Sequence, residues 1–107
     1  MSSQIAALPQ MTSSVDSQSS PRASVSARFL IVADADPGML SRLLEAFAKL
    51  GEVPTRCHAS REHGDGSELT VDLRGDSLAP RTAELIDFGL RRVLGVHKLV
   101  AVIEPQP

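Results

Sequence analysis

Four stretches of the chain carry strand-like hydrophobic patterns and two carry helical ones. Phe29-Leu30-Ile31-Val32-Ala33 is an unbroken, β-branched-rich apolar run, the pattern of a central strand buried on both faces. It ends at Asp34-Ala35-Asp36-Pro37-Gly38, where Asp36 is expected to cap a helix with Pro37 in its first turn. Leu40, Leu43, Leu44 and Phe47 then follow at helical spacing, and Gly51 stands where that helix should stop. From Val53 to Glu62 the pattern is extended, with Val53, Thr55, Cys57 and Ala59 on one side and Pro54, Arg56, His58, Ser60 and Glu62 on the other. Pro54 lacks an N–H, which suits an edge strand or a strand's first residues, and Cys57 reads as a small core residue. His63-Gly64-Asp65-Gly66-Ser67 has the composition of a hairpin turn. Glu68 to Arg74 alternates, with Leu69, Val71 and Leu73 inward, and Gly75-Asp76-Ser77 is expected to break that strand. Pro80 opens a second helix with Ala83, Ile86, Leu90 and Val93 as its core face, widened by Leu85 and Phe88 and ended by Gly95. Val96 to Glu104 closes the domain as a strand, and Pro105 stops it.

The order is β-α-β-β-α-β. Right-handed crossovers and a central hairpin then favour an α+β, ferredoxin-like sandwich: a four-stranded antiparallel sheet with two helices on one face. One parity of the last strand offers Val96, Val100 and Val102, the other Leu99, Ala101 and Ile103. Both faces therefore want cover, and a domain this small is expected to gain stability as a homodimer or a higher oligomer. The folded part is expected over 28–104. Residues 1–27 read as a disordered Ser-rich tail, because their apolar residues follow no period and cannot offset the entropy of ordering. They also lack the basic start and continuous apolar stretch of a signal peptide. Residues 105–107 read as a short C-terminal tail.

Composition narrows the function. The 107 residues hold 11 Lys and Arg against 13 Asp and Glu, with three Phe and no Trp or Tyr. An acidic balance and so few aromatic faces argue against nucleic-acid binding. A single cysteine excludes an internal disulfide and a CxxC site. The longest apolar runs span five residues, against the roughly 20 of a membrane helix, and the chain is cytoplasmic in character. His58, His63 and His97 show no ligand spacing, and two carboxylates, Asp34 and Asp36, rarely hold a cation alone, so no metal or other cofactor is expected. Cys57 and His58 point to opposite strand faces, and nothing sets Ser41 or Ser67 against a base. An enzyme is not expected. Familiar tenants of this fold drop out as well. The central strands carry Leu30, Val32, Glu68, Thr70 and Asp72 rather than RNA-stacking aromatics, and the first loop holds neither paired thiols for copper nor an arginine for an acyl phosphate.

The run from Phe29 to Arg42, followed by Phe47 and Gly51, resembles the ACT domain, the amino-acid-sensing regulatory module of biosynthetic enzymes. Its members typically read strand, polar residue, Pro-Gly-x-Leu, helix, Gly, strand, and the resemblance extends over residues 28–104. Within that family the chain looks most like the small regulatory subunit of acetolactate synthase, which implies a catalytic large subunit as partner and a branched-chain amino acid as effector. The resemblance places a ligand site at Asp34, Ala35, Asp36, Gly38, Met39 and Leu40, completed by Val53 and Pro54 of a neighbouring subunit. Gly38 would let a ligand approach the backbone, and the N–H groups of Gly38, Met39 and Leu40 at the helix start would suit an α-carboxylate. The alternative is that Pro37-Gly38 is simply a good helix start. Two positions depart from the family's usual asparagine or aspartate pattern: Ala35, two residues before Pro37, and Val53, two after Gly51. A free-standing sensor and an oligomerisation module with a decayed site stay open beside the regulatory subunit.

Overall fold

The computed structural model describes residues 24–62 and 64–106. Six elements follow in the expected order: strand β1 (Val25–Asp34), helix α1 (Met39–Ala48), strand β2 (Arg56–Glu62), strand β3 (Glu68–Leu78), helix α2 (Pro80–Arg91) and strand β4 (Val96–Pro105). The strands form one sheet in the order β2-β3-β1-β4, each neighbouring pair antiparallel. Both helices cover the same face, which makes the ferredoxin-like α+β sandwich. The Ser-rich segment up to residue 23, and His63 of the hairpin, lie outside the described residues. No helix among the described residues is long and apolar enough to cross a membrane.

Burial follows from that one-sided cover. In β1, Ala27, Phe29, Ile31 and Ala33 are fully buried beneath the helices, whereas Leu30 is 38% exposed on the other face. The Phe29–Ala33 run is thus central but covered on one side only, because both crossovers pass over the same face. The strand also starts at Val25, ahead of the expected boundary at Arg28. Val25 lies opposite Leu78 on one side and Pro105 on the other, and Ala27 belongs to the core. At the far terminus β4 continues through Pro105, whose missing N–H an edge strand tolerates. Gln106 then donates its N–H to the carbonyl of Ser24 at 3.0 Å.

Helix α1 seats Met39, Leu43 and Phe47 in the core, with Leu40 and Leu44 partly covered. Phe47 meets the ring of Phe29 edge-on, 6.1 Å between centroids, the favoured geometry for aromatic pairs. Gly51, at φ +73°, closes the helix by donating to Ala48, and Glu52 donates back to Phe47. Helix α2 buries Ala83, Ile86 and Leu90. Leu85 and Phe88 do not widen its core face: both are exposed, and the Arg92 guanidinium lies 5.2 Å from the Phe88 ring centre.

Three further sequence expectations are corrected by the sheet. Gly75-Asp76-Ser77 does not end β3 but forms a bulge in it. Ala27 faces Gly75 while Val25 faces Leu78, so one extra residue in β3 turns Leu78 into the core. Ser77 adopts φ 56° there and donates its N–H to Gln106 Oε1 at 2.6 Å. β2 begins at Arg56 rather than Val53, which is 81% exposed. Cys57 is exposed and not in the core, because β2 is an edge strand that neither helix covers; only Ser60 along it is even half-buried.

Candidate functional site

The loop joining β1 to α1 is held by backbone bonds from three directions. Asp34 donates its N–H to Gly95 at 2.9 Å, Ala35 donates to Ser67 at 3.1 Å, and Asp36 turns back to Asp34 at 2.9 Å. Met39 N–H then donates to the carbonyl of Asp36 at 2.9 Å. Gly38, not Asp36, is the cap residue of α1, and no side chain caps the helix. The Asp36 carboxylate instead accepts from Arg42 Nη2 at 2.6 Å. That bond, and a second from the N–H of Gly38, hold its pKa below the usual carboxylate range. Gly38 suits this arrangement because a Cβ there would stand 2.8 Å from Arg42 Nη1. Asp34 pairs with His97, Oδ1 to Nε2 at 2.6 Å.

His97 reaches Asp34 through an irregularity in the β1–β4 register. Val32 faces Lys98 but Ala33 faces Val96, so His97 is the extra residue of a bulge. The same shift moves Val96 to the helix face beside Leu99 and Ala101, against the parity expected from the sequence. Two concavities flank Asp36. One of about 350 Å³ lies among Ala35, Pro37, Arg61 and Leu69. The other, about 430 Å³, lies among Asp34, Met39, Arg42, Leu94 and Gly95.

Of the residues singled out in the sequence, Asp34, Ala35, Asp36, Gly38, Met39 and Leu40 therefore come together. Met39 differs from the rest in sending its side chain into the core. The N–H groups of Gly38 and Met39 already have acceptors, both from Asp36, while that of Leu40 has none among the described residues. Val53 and Pro54 do not join this group. Thr55 donates to Arg74, which faces Arg28 in β1, six residues before Asp34. At about 3.3 Å per residue that places them roughly 20 Å away, at the other end of the sheet. Arg42, Arg61, Gly95 and His97 are the site residues that the sequence reading missed. The position of Arg42, one helical turn after Gly38, was the available signal for it; the bulge that places His97 has none.

On the open face, a shallow trough of about 360 Å³ runs over Leu30, Val32, Thr70, Asp72, Lys98 and Val100. Arg28 bonds both oxygens of Asp72, at 2.9 and 3.3 Å, and lowers the Asp72 pKa chiefly through those bonds. Among the described residues no group of three or more His, Cys, Asp or Glu is placed to hold a metal.

The lowered carboxyl groups set an acid dependence. A folded pKa below the unfolded value of about 3.9 contributes stability above that pH and loses it as pH falls through the folded pKa. The urea midpoint is accordingly expected to drop below about pH 4. Asp36→Asn and Asp72→Asn should each flatten that drop, which urea titrations at a series of pH values would measure. Equal slopes for wild type and both variants would show that neither ion pair couples to folding.

A family model for the ACT-like domain matches residues 19–104. Among curated proteins no sequence matches the chain. Among solved structures, the ACT domain from GTP pyrophosphokinase of Chlorobium tepidum superposes with a TM-score of 0.60 at 18% identity, over 74% of this chain and 99% of that one. The regulatory subunit of aspartate kinase from Thermus flavus gives 0.53 at 18% identity, over 77% of this chain and 52% of that one.

Proposed function

Because the chain belongs to the ACT-like domain family, we propose that it is a non-catalytic regulatory subunit that binds a small amino acid between two copies and controls a catalytic partner. The observation that carries this reading is the division of the candidate residues between opposite ends of the sheet, joined by an uncovered edge strand. β2 is complementary to itself. Antiparallel pairing about Ala59 sets Arg56 opposite the partner's Glu62, Cys57 opposite the partner's Arg61 and His58 opposite the partner's Ser60. Each cross-strand charge pair of this kind adds a few tenths of a kcal/mol to about 1 kcal/mol. Continued, the same register brings Val53 and Pro54 of one copy to the hairpin end of the other, beside the concavity at Ala35, Pro37, Arg61 and Leu69. Neither chain holds the whole site; a pair does.

The zwitterion of an amino acid fits the groups at the loop. Asp34 and Asp36 suit the ammonium, while the Leu40 N–H and the Arg42 guanidinium suit the carboxylate. The ligand would compete with the Asp36 carboxylate for Arg42 and Gly38. Pro37, Leu69 and Leu94 around the loop favour an apolar side chain, in line with a branched-chain effector. The catalytic partner in this proposal is acetolactate synthase, in keeping with a branched-chain effector. The internal capture of Gly38 by Asp36 favours a second reading, an oligomerisation module without an effector.

The test is thermal unfolding of the full chain against each proteinogenic amino acid. A ligand at about 100 times its Kd adds roughly 2.7 kcal/mol, which moves the midpoint of so small a domain by about 4–8 °C per kcal/mol. Valine, leucine or isoleucine should raise the midpoint, and Ala59→Lys, which puts two ammonium groups on the β2 axis, should abolish the rise. No shift with any amino acid would sink the effector site and leave the oligomerisation module.

A further inference from the structure

The two edges of the sheet differ in how they are protected. β2 is polar over most of its length, with Arg56, His58, Ser60, Arg61 and Glu62 among its seven residues, whereas β4 presents five consecutive apolar residues, Leu99 to Ile103, between Lys98 and Glu104. Val100, Val102 and Ile103 are 49%, 43% and 40% exposed. Natural edge strands are usually blunted by an inward charge, a mid-strand proline or a bulge. Here the bulge at His97 and the proline at position 105 lie outside the apolar segment and only mark its limits. Lys98 and Glu104 make no ion pair with another described residue.

We propose that β4 is a second pairing edge, and that its occupant is another copy of the chain, antiparallel about a two-fold axis through Ala101. The argument is charge and register complementarity. In that register Lys98 faces the partner's Glu104, Leu99 the partner's Ile103, Val100 the partner's Val102, and Ala101 its own copy. Every charge meets its opposite and every apolar residue meets an apolar one. Moving the axis by one residue toward either end sets a charge against valine: Lys98 against Val102 about Val100, and Glu104 against Val100 about Val102. Register on an edge is chosen by such matching. A pairing about Ala101 also keeps both helix layers on the same side of the joined sheet. On the open face it assembles four valines, two from each copy, flanked by two ion pairs and continuous with Leu30. On the helix face, Ile103 gains the cover that its own chain does not supply. This edge lies across the sheet from β2 and does not depend on the effector site; used together, the two edges build assemblies larger than a dimer.

Sedimentation equilibrium of the full chain tests it, in an Ala59→Lys background that silences β2. That variant should remain a dimer. Lys98→Glu or Glu104→Lys added to it places like charges at both ends of the paired strands and should weaken the dimer about tenfold. The double swap, K98E with E104K, should restore the affinity to within about threefold. Both positions are exposed, so folding is not at stake. A monomer in the Ala59→Lys background at roughly 100 μM would overturn the proposal, even if a foreign strand were found on the edge. So would a dimer indifferent to the single swaps, or one that the double swap fails to restore. Loss of every amino-acid response, by contrast, would count against the effector site alone.

Discussion

Phe47→Ala is expected to lower folding stability by about 3–5 kcal/mol, the usual cost of deleting a buried phenylalanine ring. Domains hold about 0.05–0.15 kcal/mol per residue, so that loss is a large fraction of the total. The ring is fully buried and packs edge-on against Phe29, which ties α1 to the central strand. It also lies against the bulge: a Cβ added to Gly75 would stand 3.2 Å from Phe47 Cε2. Protein interiors are close-packed and relax only in part, so the neighbours have little means of closing the cavity. Urea unfolding followed by circular dichroism should find a strongly lowered midpoint for the variant. A loss under about 1.5 kcal/mol would mean that α1 re-seats without the ring.

Gly95→Ala should be the next most damaging change, at about 2–4 kcal/mol from backbone strain and overpacking together. Gly95 has φ +97°, and a Cβ on it would lie 2.6 Å from Met39 Cε and 3.3 Å from Asp34 Oδ2. Something must move, and each candidate matters: Met39 fills the core under α1, while Asp34 pairs with His97 beside the candidate site. Gly51→Ala is the matched comparison. It has a similarly left-handed backbone, φ +73°, but open space around the added atom, so it should cost only about 1–2 kcal/mol. Chemical denaturation of the two variants side by side separates steric crowding from backbone strain. Equal losses would show that the Met39 contact yields freely.

The element order was legible because period is a local property. Leu43 and Phe47 in α1, and Val71 and Leu73 in β3, keep their spacing whatever they pack against. What depends on which face is covered was not legible. Leu30 and Cys57 follow strand periodicity, yet one lies on the open face and the other on an uncovered edge. Polar and glycine residues signal both a strand's end and a bulge, which is why Gly75-Asp76-Ser77 misled. The candidate loop was visible through Asp34 to Leu40 as a contiguous motif. Its partners Arg61, Gly95 and His97 arrive from two other places in the chain, β2 and the start of β4, brought there by sheet register that no local pattern encodes. The position of Val53 and Pro54 is a long-range fact of the same kind.

The hydrogen bond from Gln106 to Ser24 joins the two ends of the described domain at one corner of the sheet. Entry and exit are then a few ångströms apart, on neighbouring antiparallel strands. Such a domain can be spliced into a surface loop of a host without stretching that loop, and its own ends can be linked to make new ones elsewhere. Tension applied through those ends has a direction as well. It loads the β1–β4 ladder one rung at a time, starting at Val25 and Pro105, so the sheet unzips rather than shears and gives way under light load.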